Sequence, residues 1–130
     1  LLEANLKLNY DYVIPDRDEF GVLCDFELPK EMPTAFVCNN DQLAYNLLNK
    51  LNALGYIVPK DVSIVTFDNT IYSEISPVKL TSVDNNTEQL IEKAVSTIIK
   101  KIADSSKHYH RILVDAKIVE RDSVMERRGN

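Results

Sequence analysis

The chain has 130 residues, enough for one hydrophobic core, and its 45% hydrophobic and 27% charged content is that of an ordinary globular domain. Twenty acidic against 15 basic residues give a net charge of −5. That balance argues against a phosphate-gripping surface, because nonspecific nucleic-acid affinity comes from clustered Lys and Arg, and here the basic residues are scattered, with no run longer than the pairs Lys100-Lys101 and, in the tail, Arg127-Arg128. No run is long enough to cross a membrane as a helix, and no signal peptide is visible.

The first six residues (Leu1, Leu2, Glu3, Ala4, Asn5, Leu6) read as an amphipathic helix already under way without an initiator Met, which suggests a piece of a longer protein. Residues 9–32 are the hardest to read. They suggest a strand at 10–14, a polar loop at 16–19 and an extended run at 23–28. An apolar strand bounded by Pro33 and the pair Asn39-Asn40 is expected at 33–38. A helix over 41–54 follows, with Leu43, Leu47, Leu51 and Leu54 on one face and Ala44 and Leu48 beside them. Asn40 can cap its start and Gly55 its end. Val62-Ser63-Ile64-Val65-Thr66-Phe67 reads as a second buried strand, and a strand–helix–strand unit of this kind makes a parallel sheet.

A loop is expected through Pro77, then a strand at 80–83. Asn86, with Gln89 three residues on, suggests a capped long helix. Its apolar face holds Leu90, Ile91, Ala94, Val95, Ile98, Ile99 and Ile102. Two last strands are expected at 111–114 and 116–120. Cys24 and Cys38 have no metal-site spacing and read as reduced and structural. His108 and His110 lack a third ligand nearby, and the acidic groups Asp16/Asp18/Glu19 and Glu120/Asp122 fall in polar segments. With three glycines, no phosphate-cradling loop and no nucleophile motif, the chain reads as no enzyme, with no metal and no cofactor.

Polar residues stop the strands: Asn39-Asn40-Asp41 after the first and Asp68-Asn69 after the second. In open parallel sheets ligands bind beyond the carboxyl ends of strands. A carboxylate accepting from adjacent hydroxyls beside an amide that donates and accepts would suit a polyol. Capping of the next helix and loop explains Asn40 and Asp68 equally well, and spacing alone leaves both readings open.

Four blocks carry a family likeness. Pro33-Thr34-Ala35-Phe36-Val37-Cys38-Asn39-Asn40-Asp41 resembles the "PTA…ND" segment of LacI-family effector domains. Gly55-Tyr56-Ile57-Val58-Pro59-Lys60-Asp61-Val62-Ser63-Ile64-Val65-Thr66-Phe67-Asp68 resembles that family's "GxxVPxDxSVVGFD". Leu80-Thr81-Ser82-Val83 is similar to "PLTTV", and Ile118-Val119-Glu120-Arg121-Asp122-Ser123 to "LVxRxS". The chain departs from the pattern at Thr66, where the family has Gly, at Asn69, where it has Asp, and at Thr87, where some members offer an aromatic.

The resemblance implies an α/β fold: a parallel-sheet, periplasmic-binding-protein-like (type I) subdomain in a three-layer αβα arrangement. It implies a C-subdomain of about 1–84 and 115–124, with 86–112 packing on an N-subdomain missing here and the DNA-binding domain absent from this chain. Carried over, Asn40 and Asp68 bind sugar hydroxyls, Asn85 adds a third polar contact, and Phe20 is the candidate stacking aromatic. Tyr45, Asn49 and Ser73 fall in the helix and loop through which members dimerise. The implied function is the effector-sensing and dimerisation part of a sugar-responsive, cytoplasmic transcriptional repressor. Its partners would be a sugar or sugar phosphate, a second copy in a homodimer, and operator DNA through the missing N-terminal domain. A solute-binding protein of a sugar transporter, built on the same fold, is the alternative. Without its other wall, the cleft of this chain would hold sugar feebly. The orphaned helix face would seek either a swapped dimer or its own core.

Overall fold

The computed structural model describes residues 7, 9–22, 24–106 and 111–126. Four strands form one sheet in the order β1 (Ala35–Val37), β2 (Ser63–Phe67), β3 (Thr81–Asp84), β4 (Lys117–Val119). β1, β2 and β3 run parallel, and β4 returns antiparallel to β3, so the sheet is mixed rather than wholly parallel. Helices α1 (Asp41–Ala53), α2 (Ile71–Ile75) and α3 (Thr87–Ala103) connect or follow the strands.

The α1 helix forms where the leucine spacing places it. Asn40 is the cap, its Oδ1 accepting from the Leu43 N–H at 2.9 Å. Gly55, at φ 86°, turns the chain out, with the Gly55 N–H donating to the Asn52 carbonyl and the Tyr56 N–H to the Leu51 carbonyl, a Schellman end. The buried stripe is Ala44, Leu47, Leu48 and Leu51 rather than the expected face ending at Leu54, which lies past the helix end and is 61% exposed. This stripe closes on Val62 and Ile64, Leu80, Val58 and Cys38 to make the core.

The segment after β4 pins two strands together. Ser123, fully buried, accepts the Thr81 N–H at its hydroxyl and donates that hydroxyl to the Ile64 carbonyl at 2.6 Å. Its carbonyl takes the Ile64 N–H. Thr66, at the family's glycine position, is fully buried and its Oγ1 has no partner. A buried hydroxyl without a partner costs about 1–3 kcal/mol, so Thr66→Val, which keeps the shape, should raise the urea unfolding free energy by roughly 1 kcal/mol. A loss of stability in that variant would show that the hydroxyl is satisfied.

Several local expectations change. Residues 10–14 hold a short 3-10 turn (Tyr10–Tyr12) and not a strand, Asn9 accepting the Asp11 N–H. Residues 24–28 and 111–114 are in no strand, and the last strand is trimmed to Lys117–Val119. Residues 1–6, Leu23, His108, His110, Arg127 and Arg128 lie outside the described residues. The loop expected before Pro77 contains α2. Asn86 precedes α3 in a left-handed conformation (φ 52°) and its side chain caps nothing, so the capping box does not form. Instead the Asn86 N–H donates to Asp84 Oδ1 at 2.8 Å.

The α3 helix buries none of its residues, and Val95, Ile98 and Ile102 are 51%, 58% and 80% exposed. Its apolar face does not fold back onto the core of this chain. No helix of the described residues is long and apolar enough to cross a membrane.

Candidate functional site

The parallel register decides which loops meet. Val37 pairs with Val65 and Phe67 with Val83. Asn40 and Asp68, each three residues past the paired Val37 and Val65, therefore leave the sheet at one level of its carboxyl edge. Asn85, two residues past Val83, leaves the same edge from the next strand. The Asp68 N–H donates to the Val83 carbonyl, and Asn85 Nδ2 donates to Asp68 Oδ1 at 2.9 Å. Asp68 and Asn85 are thus a formed carboxylate–amide pair. Asn40 is committed on both sides of its amide, Oδ1 to the helix cap and Nδ2 to Asn39 Oδ1 at 2.9 Å. Each of these atoms keeps one further hydrogen-bonding position, since an amide oxygen has two lone pairs and an amide nitrogen two hydrogens.

The strand-to-loop turn that carries Asp68 is backbone-strained. Asp68 has φ 96° and Asn69 φ 48°. Non-glycine residues in such regions cost about 1–3 kcal/mol each and concentrate at binding sites, and Asp and Asn tolerate them better than most. Phe20 lies on a turn before β1. It is 82% exposed on a turn where Asp18 Oδ1 accepts the N–H groups of Phe20 and Val22. The same N-terminal stretch does reach the edge at one point, through Asn39 Nδ2 donating to Asp16 Oδ2 at 2.9 Å.

Residues not singled out in the sequence hold the edge together. Arg121, only 11% exposed at its side chain, donates to the Leu80 carbonyl, to Asn69 Oδ1 at 2.7 Å and to Glu74 Oε1 at 2.6 Å. Asn69 Nδ2 then donates to Asp84 Oδ2 at 3.3 Å, and Asp84 pairs with Lys117 at 3.8 Å. The departure to Asn at position 69 has a local sense here: an amide accepts from Arg121 and donates to Asp84, whereas a carboxylate would face Asp84 with like charge. Buried Asp41 takes donors from two segments as well. Its position at the start of α1 was legible, its partners were not.

Of the three residues expected at an interface, two are accessible and one is not. Asn49 is exposed, and Tyr45 is half-buried with its ring tilted at 52° to that of Tyr72, centroids 5.8 Å apart. Ser73 is fully buried inside this chain, its hydroxyl spent on the Thr70 carbonyl at 2.7 Å, so its side chain has nothing to offer a partner. α2 turns that side chain inward where a loop was expected.

No described group of three His, Cys, Asp or Glu could hold a metal ion. Burial pushes the Cys38 thiol up to about 12, with the Asp16 charge adding to it, so this sulfur is no nucleophile near neutral pH. Cys24 is exposed and free.

Residues 3–124 match the family model for the periplasmic binding protein-like domain. The chain belongs to that family. The sequence is 30% identical over 129 residues to the HTH-type transcriptional repressor PurR of Pasteurella multocida, covering 96% of this chain and 39% of the relative. A solved transcriptional regulator LacI of Bacillus cereus subsp. cytotoxis superposes with a TM-score of 0.70 at 32% identity, over 74% of this chain and 34% of that one. A LacI family transcriptional regulator of Enterococcus faecalis V583 with bound ribose does so at 0.67 and 27% identity, over 73% and 36%. This periplasmic-binding-protein-like chain thus spans about two fifths of the length of the curated relatives it matches. Its α/β mixed sheet is that of LacI-type effector domains.

Proposed function

We propose that this chain is the effector-sensing part of a LacI-type transcriptional repressor, and that its ligand is a sugar or sugar phosphate. The observation that carries the reading is the Asp68–Asn85 pair at the carboxyl edge of the sheet, on a strained turn, in a chain whose relatives are named as transcriptional regulators. Asp68 would accept from sugar hydroxyls, Asn85 and the spare positions of the Asn40 amide would complete the contact, and Phe20 is the candidate for stacking on the ring.

Residues 1–84 and 115–124 would form one subdomain, and the exposed apolar face of α3 would pack on the other. Ligand would favour one closure state of the two subdomains and so shift their population. DNA reading would belong to a separate N-terminal head, in keeping with the net charge of −5 here. Tyr45 and Asn49 are the residues we assign to a homodimer contact, and the cytoplasm is the compartment where such a protein works. The relatives are named as transcriptional regulators, which supports a binding rather than an enzymatic role.

The test is thermal unfolding of the full gene product with D-ribose, then with pentoses, hexoses and their phosphates, beside Asp68→Ala. Ligand at a hundredfold excess over Kd should add about 2.7 kcal/mol of stability. A sugar that stabilises the unsubstituted protein and not Asp68→Ala supports the reading. A stabilisation indifferent to Asp68→Ala, or none across the panel, overturns it.

A further inference from the structure

Asp41 is fully buried and sits at the first position of α1, yet the cap of that helix is Asn40. Its carboxylate instead faces out of the helix toward two other segments. Asp41 Oδ2 accepts the Thr70 backbone N–H and the Thr70 hydroxyl, the latter at 2.9 Å, and Oδ1 accepts the Ser82 hydroxyl at 2.8 Å. Ser82 Oγ in turn accepts the Asn69 N–H at 3.0 Å. The two amides that follow Asp68 are therefore both held, one directly and one through a serine, by a single carboxylate. A buried carboxylate is costly unless donors surround it, and being near a helix start offsets only a small part of that cost. Three donors from two chain segments give this one a compensated site.

What the arrangement accomplishes is conformational. Asp68 and Asn69 are consecutive non-glycine residues at positive φ, a geometry that relaxes unless the chain beyond it is tied down. The tie is the pair of amide bonds at 69 and 70. We propose that Asp41 is a positioning residue of the pocket: it latches Thr70 and Ser82, holds the turn at 68–69 in its strained form, and so aims the Asp68 carboxylate at Asn85 and the ligand. This rests on the reading of Asp68 as a ligand contact. It also joins α1, the β2–α2 turn and β3 through one group, which makes the loop geometry sensitive to any change in the others.

The test needs no ligand. In the full chain, backbone amide exchange and the side-chain amide signals of Asn85 are followed by NMR in the unsubstituted protein, in Asp41→Asn and in Thr70→Val. Asp41→Asn must lose at least one accepted bond, whereas Thr70→Val keeps the carboxylate and the backbone N–H and removes one hydroxyl. In Asp41→Asn, exchange at Asn69 and Thr70 should rise by at least about tenfold while Leu47, Leu48 and Leu51 keep their rates, as a local rather than global opening requires. The Asn85 side-chain signals should move toward solvent-exposed values. Thr70→Val should shift the same sites in the same direction by less, and it decides alone if Asp41→Asn does not fold. Unchanged rates at 69 and 70, or rates that rise only in step with α1, overturn the latch. Should D-ribose and the sugar panel prove indifferent to Asp68→Ala, the ligand reading falls while the exchange result still stands or fails by itself.

Discussion

Leu48→Ala should lower the unfolding free energy by about 2–5 kcal/mol, the range for a leucine truncated in a packed interior. Leu48 is fully buried in the stripe where α1 meets Ile64 of β2 and Leu80 before β3, and this contact is the main seam between helix and sheet. The lost side chain leaves a void that the short strands on one side and a regular helix on the other can close only in part. Leu54→Ala, just past the end of this helix, is the internal control. At 61% exposed it should change stability by less than about 0.5 kcal/mol. Urea unfolding of both variants checks this, and similar values for the two would mean that α1 is not seated on the sheet as described.

The second large effect concerns Arg121. Arg121→Met keeps most of the aliphatic stem and removes the guanidinium. The buried Leu80 carbonyl loses a donor, and Asn69 and Glu74 lose a shared partner. Hydrogen bonds from a charged donor are worth roughly 1.5–3 kcal/mol, and because these three act as one unit the expected loss is about 2–3 kcal/mol in total. A pH signature accompanies it. The Arg121 hydrogen bond and charge hold the Glu74 carboxyl below its ordinary value of 4.5, with Lys79 adding to the effect. A lowered folded-state value means that this contribution is present above pH 4.5 and is lost as pH falls through the lowered value. The unsubstituted protein should therefore lose stability more steeply on acidification below pH 4.5 than Arg121→Met does. Parallel pH curves for the two would refute the assigned partnership.

These two cases differ in how far the sequence foretold them. The leucines of α1 were readable because helix periodicity and burial are local and cumulative: Asn40, Gly55 and the spacing of Leu47, Leu48 and Leu51 agree with each other over one stretch. Arg121 was visible only as a letter in a family pattern. Its partners lie 41 to 52 residues away, at Leu80, Glu74 and Asn69, and no local rule connects them. The same holds for Asp41, whose donors are 29 and 41 residues distant. Ser73 shows the opposite failure, where a segment read as loop forms one helical turn and buries the residue.

By itself, the sequence determined the α/β class, the strand–helix–strand order, the long amphipathic α3 and the polar stops at Asn40 and Asp68. Each follows from patterns within one segment, where hydrophobic period, cap and turn residues act over a few positions. Only the tertiary structure decided that β4 runs antiparallel, that Asn85 donates to Asp68, and that Asp41 and Arg121 hold the turn between them. Those outcomes depend on strand register and on polar groups seeking partners once water is excluded. Such pairing is settled between segments far apart in the chain, when they pack.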